Sequence, residues 1–234
     1  MTQIQPASYE SLSASEAIQL QKKLRERINI QPFKGAIKYI GGADISFNKF
    51  ESTVYAGIIV LRYADMIPVE KVSVITETKF PYISGLLAFR EVPALLMAWD
   101  KLQIRPDIMV LDGQGIAHER RSGIATHFGL LTDVPSIGCA KSRLTGTFEE
   151  PPNSVFGSSP LLHKSEQVGV VLRTKINCKP IFVSPGHKVS IEQSVDIIKH
   201  CTRKYRIPEP TRLAHLLVNE VRIAHKSDNP NTLF

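Results

Sequence analysis

Residues 107–140 read DIMVLDGQGIAHERRSGIATHFGLLTDVPSIGCA. DIMVLD is a short apolar run closed by an acid, and SIGCA is a second apolar run, the pattern of strands buried on both faces of a parallel sheet. Between them residues 119–131 read as a helix, with Gly113 and Gly115 opening the turn before it. A strand, a helix and a strand in so short a stretch mark an α/β domain.

Working outward, AIKYIGGADISF (36–47), TVYAGIIVLRY (53–63) and PVEKVSVITET (68–78) are rich in β-branched and aromatic residues. Polar or Gly/Pro residues bound each run, and their close spacing predicts consecutive antiparallel hairpins. Residues 13–29 have a helical spacing with Ser13 as N-cap, and residues 86–102 form a second, more apolar helix. Beyond the central stretch, TGTFEEPPNSVFGSSP (145–160) predicts an exposed loop. GVVLRT (169–174) and KPIFVS (179–184) then resume strands, and 190–204 and 209–225 are helical. The sum is a single α/β domain over 1–234 with a mixed central sheet flanked by helices.

Composition narrows the function classes. The 234 residues are 43% apolar and 22% charged, within the ordinary globular range. Cys139, Cys178 and Cys201 show no CxxC spacing, which argues for free thiols in a reducing compartment and against a disulfide framework or a zinc ribbon. With no secretory signal pattern and no long apolar run, the expectation is a cytoplasmic protein off the membrane and monomeric. The net charge of +7 favours polyanionic partners.

Three acids stand in apolar surroundings. Asp44 lies within YIGGADISF, where a carboxylate is costly unless paired or metal-bound; the alternative is a solvent-facing position on an alternating strand. Asp112 ends DIMVLD, at the carboxyl end of a strand, where open α/β sheets bind ligands; the alternative is a plain βα turn. Glu91 shares an i, i+4 row with Leu87, Leu95 and Trp99, so it points where apolar neighbours point and needs a cation. Three such acids suit a divalent ion held through oxygen, Mg²⁺ with Mn²⁺ as substitute, and phosphodiester hydrolysis is the reaction class that fits. His118, Arg120 and Arg121 at the expected helix start suit phosphate. Lys141 and Arg143 after SIGCA are further candidates for phosphate contact, or Lys141 for orienting the attacking water, and His187 in SPGHKVS for proton transfer or phosphate contact; the alternative for all three is a solvated loop. Tyr82 in PYISG is a rigid aromatic tip able to enter a base stack, or a loop anchor.

PYISGLLAFRE, LDGQGIAHERRSGIATHFGLLTDVPSIGCAKSRLTG, SPGHKVS and GGADISF together resemble the endonuclease V family, the deoxyinosine 3′ endonucleases, over about residues 13–225. The resemblance implies a ribonuclease H-like fold, Mg²⁺ at Asp44 and Asp112, and a catalytic acid at Glu91. It implies a strand-separating wedge with Tyr82 and Ile83, and a hypoxanthine pocket of small residues near Gly85, Gly113 and Gly115. His118, Lys141 and His187 match family positions near the scissile phosphate. The implied cut is at the second phosphodiester bond 3′ of the lesion, leaving 3′-hydroxyl and 5′-phosphate. Two residues depart from the pattern: Ser84 and Glu119 each replace a proline. The implied partner is deoxyinosine-containing DNA, with inosine-containing RNA or a non-catalytic nucleic-acid-binding role as alternatives. A nucleotide-binding metabolic enzyme would need a phosphate loop that is absent.

Overall fold

The computed structural model describes residues 6–48 and 51–228. A 3-10 turn, Pro6–Ser11, leads into α1 (Ala14–Arg25). The predicted N-cap holds α1: Ser13 Oγ accepts from Glu16 N at 3.3 Å, and Glu16 Oε2 accepts from Ser13 N at 2.8 Å. β1 (Tyr39–Phe47), β2 (Thr53–Arg62) and β3 (Pro68–Glu77) form the expected antiparallel meander. Then come α2 (Leu87–Lys101), β4 (Ile108–Leu111), α3 (Ile124–Thr132) and β5 (Ser136–Ala140). β6 (Gly157–His163), β7 (Glu166–Arg173), β8 (Ile181–His187), α4 (Ile191–Cys201) and α5 (Glu209–Asp228) complete the order.

All eight strands join one sheet in the order β3-β2-β1-β4-β5-β8-β7-β6. β1, β4 and β5 run parallel, and every other neighbouring pair is antiparallel. The mixed sheet is as the sequence predicts. Side chains alternate between two apolar layers. Ile40, Ile108, Val110 and Ile137 meet α4 and α5 on one face. Ala43, Met109 and Leu111 meet α2 and α3 on the other. Burial on both faces is why β4 and β5 read as unbroken apolar runs.

Several boundaries differ from the sequence reading: α1 ends at Arg25 rather than at residue 29, and α4 at Cys201 rather than at residue 204. Residues 157–160, expected in a loop, begin edge strand β6, where Pro160 is tolerated because an edge strand leaves one side unpaired. The helix expected from residue 119 begins at Ile124. Residues 119–123 form turns, with Arg121 at φ 63°, and Glu119 therefore lies outside the helix, ion-paired with Arg120 at 3.0 Å.

The 3-10 turn packs on α2 through Tyr9, which is fully buried and lies 2.8 Å from His127 Nε2. Burial depresses the His127 pKa to about 3, with His118 adding repulsion. The imidazole is neutral when folded, so its contribution to stability is intact above the unfolded pKa near 6.5. That contribution is lost as pH falls towards 3, because the unfolded chain then binds the extra proton. Lowering the pH from 7 to 5 should cost about 2 kcal/mol through this residue. Urea unfolding of the protein and of His127→Gln checks it: the pH dependence should be shallower in the variant, and an identical slope would exclude His127 as its source.

Candidate active site

The alternation in the central strands decides where the acids point. Asp112 follows β4 in step with Ile108 and Val110, and Asp44 follows Ile40 in β1 at the same parity, so both carboxylates belong to the α5 face. The parallel register pairs Ala43 with Leu111, and Ala43 O accepts from Asp112 N at 3.0 Å, which sets the acids side by side. α5 crosses directly above. A Cβ on Gly42 would sit 2.0 Å from Pro210 O, so this approach requires glycine in β1. Further along α5, His215 Nδ1 comes within 2.7 Å of Asp44 Oδ2. Asp44, Asp112 and His215 each offer a ligand atom, all within 4.8 Å of one another.

Glu91 reaches the same edge from the opposite face, on α2 one turn from the buried Leu95. Glu91 and Asp112 line one cavity. Burial raises the Glu91 pKa to about 8, with Asp44 and then Asp112 adding repulsion against relief from Arg90. Burial and the charge of Asp112 raise Asp44 to about 6, against the hydrogen bonds from His215 and Ile45 N. A site that strains to keep two carboxylates ionised is one that a bound cation relieves. Carboxylate oxygens plus one imidazole suit a hard divalent ion such as Mg²⁺ or Mn²⁺. Lys141, just after β5, forms a short ion pair with Asp112.

The cavity beside these acids measures about 390 Å³, within the range of small-ligand pockets. Gly85, Gly113, Gln114, His118 and Ser122 contribute to its walls. Ser122 Oγ and Gln114 Oε1 are buried without a hydrogen-bond partner among the described residues. Gly85, at φ 78°, aims its carbonyl at three donors: Gln21 Nε2 at 2.9 Å, Arg120 Nη2 at 3.0 Å and His118 Nε2 at 3.1 Å. His118 Nδ1 accepts from Arg120 N at 3.1 Å, so the ring is the neutral Nε2–H tautomer. Burial, then the charge of Arg120, lowers its pKa to about 4. Gln21, fully buried on α1 and absent from the sequence candidates, thus ties the 81–85 loop to the cavity. Tyr82 at the tip is 65% exposed, whereas Ile83 packs against the Phe80 and Phe89 cluster.

Other candidates fall elsewhere. Arg120 is taken up by Gln21, Gly85 and Glu119, and the buried Arg121 by Glu166 and His163 of the β6–β7 turn. Two amides at the start of α3 are also occupied, Gly123 N on Gly115 O and Ala125 N on Gln114 O. At the expected phosphate-binding helix start, Arg120, Arg121 and these two amides therefore already have partners within the protein. Gly115 packs against Pro185 at the root of that turn. His187 does not join the acids. It pairs with Ser136 at the start of β5, beside Asp133 at 3.5 Å, because β8 runs antiparallel to β5 and ends at the far edge of the sheet. The imidazole at the site is His215, which the sequence reading did not single out.

The chain that carries this acid pair and imidazole matches known proteins over most of its length. The Endonuclease V family model matches residues 19–216. An Endonuclease V of Myxococcus xanthus is 44% identical over 214 residues, 91% of each chain. The crystal structure of the Endonuclease V of Streptomyces avermitilis superposes with a TM-score of 0.87 at 37% identity, covering 92% of this chain and 95% of that one. That of Ciona intestinalis, in complex with a 24-mer DNA containing an inosine followed by a ribo-adenosine, gives 0.77 at 28% identity over 90% and 98%. With its ribonuclease H-like sheet and a match over most of its length, the chain belongs to the endonuclease V family.

Proposed function

We propose that this protein is a DNA repair endonuclease that nicks DNA containing deoxyinosine at the second phosphodiester bond 3′ of the lesion, leaving 3′-hydroxyl and 5′-phosphate ends. The observation that carries the reading is the junction of the acid cluster with the cavity under Gly85. A base held in that cavity puts its own strand across Asp112. The inosine in the DNA bound by the Ciona intestinalis relative supports the choice of base.

Asp44, Asp112 and His215 would hold Mg²⁺, with Mn²⁺ as a substitute. The ion supplies charge stabilisation at the phosphate and lowers the pKa of water. Glu91, the most strongly perturbed acid, either adds a ligand or holds the attacking water. Lys141 stands where it can neutralise a non-bridging phosphate oxygen on leaving Asp112. Tyr82 fills the gap left when the base leaves the stack. The buried Ser122 Oγ and Gln114 Oε1 offer unused hydrogen-bonding capacity at the cavity wall.

The test is nicking of a duplex with one deoxyinosine, run with Mg²⁺ and with chelator, beside a matched strand with inosine in RNA. We expect a Mg²⁺-dependent nick immediately 3′ of the lesion's 3′ neighbour and none in an adenine control. Faster cleavage of the RNA strand would favour the second reading, a ribonuclease for inosine-containing RNA, which the ribo-adenosine of the Ciona complex supports.

A further inference from the structure

A second recess opens on the other side of Lys141. Its walls are Lys141, Tyr205, Arg206, Ile207 and Arg212, and its volume is about 390 Å³. Lys141 also lines the first cavity, so the two spaces share that side chain, and Asp112 lies at the same junction. The second recess is built by the loop between α4 and α5, whose sequence is RKYR over 203–206. Tyr205 is 48% exposed. The Arg212 guanidinium lies 4.5 Å from its ring centroid and is fixed there by Glu209, to which Nε donates at 3.0 Å. Arg206 Nη2 reaches Lys141 O at 3.4 Å, and the Lys204 ammonium lies 5.8 Å from the Tyr205 ring. Arg206 Nε is buried with no hydrogen-bond partner among the described residues.

We propose that this recess is a stacking platform for a nucleotide on the 3′ side of the scissile bond, which Tyr205 holds by its ring while Arg206 and Lys204 meet the backbone phosphates. The polarity rests on the proposed function: with the lesion base in the first cavity and the cut at Asp112, the strand leaves past Lys141 on its 3′ side. An exposed aromatic ring among basic side chains is how proteins hold single nucleic-acid strands without reading sequence. The pairing of Arg212 with Glu209 keeps the ring in place, and the charges not paired with an acid are Arg206, whose Nε has no partner among the described residues, and the exposed Lys204. Continuity with the acid cluster commits the occupant to the strand being cut.

Equilibrium binding in Ca²⁺ is measured for the protein, Tyr205→Ala and Tyr205→Phe on three deoxyinosine duplexes: long, shortened on the 3′ side just past the cut, and shortened on the 5′ side. Tyr205→Ala is expected to bind the long duplex about tenfold more weakly, with Tyr205→Phe close to the parent. The loss should disappear on the 3′-shortened duplex and persist on the 5′-shortened one. Equal binding of the long duplex by a Tyr205→Ala protein with a parental melting curve overturns the platform. A loss that persists on the 3′-shortened duplex overturns its placement. If the parent fails to nick at deoxyinosine, the active-site reading fails, while the same comparison on undamaged duplexes still decides whether Tyr205 binds a strand.

Discussion

Replacing Asp112 with alanine is expected to lower Mg²⁺-dependent nicking by about 10³-fold or more, a rise of roughly 4 kcal/mol in the barrier, while DNA binding holds or tightens. Asp112 is one of two carboxylates in a cluster that could hold a divalent ion, and its loss leaves one acid and one imidazole. The same change removes a negative charge that repels phosphate and frees Lys141 from its ion pair. It also relieves Asp44 and Glu91, both of which the Asp112 charge pushes up. Loss of activity with retained affinity is the signature of a chemical role. Nicking rates and fluorescence anisotropy on one deoxyinosine duplex measure both, and persistent nicking would move the active site elsewhere.

The second large effect concerns two histidines. His215→Ala should slow nicking by about 100-fold and raise the Mg²⁺ concentration needed for half-maximal rate, because it removes a donor 2.7 Å from Asp44. His187→Ala should nick at close to the parental rate but melt at a lower temperature, since that ring is 5% exposed and accepts from Asn29 N at 3.4 Å. Metal titrations of both variants, with their melting curves, separate the two roles. If His187→Ala abolishes nicking while its fold is intact, the sorting by sheet edge is wrong.

That pair of histidines also shows what could be read from the chain. Asp44 and Asp112 were legible because a carboxylate among apolar residues is a conflict that the sequence displays. Glu91 was legible by helical row. His187 carries the same surface signature as Asp112, a polar residue closing an apolar run beside glycine. The direction of its strand, however, is set by the antiparallel pairing of β8 with β5, which no local pattern encodes. His215 lies 171 positions from Asp44, on a helix where Leu216 is exposed and its neighbour Asn219 reads as solvent-facing. Only the docking of α5 on Gly42 brings it in. Likewise Arg120 and Arg121 were read for their charge, while their partners, Gln21 and Glu166, are remote in sequence. Fold class followed from period and punctuation; site membership depended on strand direction and on the last helix.

The acids approach one edge from both faces of the sheet: Asp44 and Asp112 under α5, Glu91 on α2. Neither helical layer alone completes the set, and His215 lies on α5, which follows every strand of the sheet in the chain. The site is thus incomplete until α5 has docked on the sheet. Before α5 docks, the chain offers Asp44, Glu91 and Asp112 without their imidazole, and a partly opened molecule separates the groups again. The set and the completed architecture are interlocked, because opening either helical layer takes the groups apart.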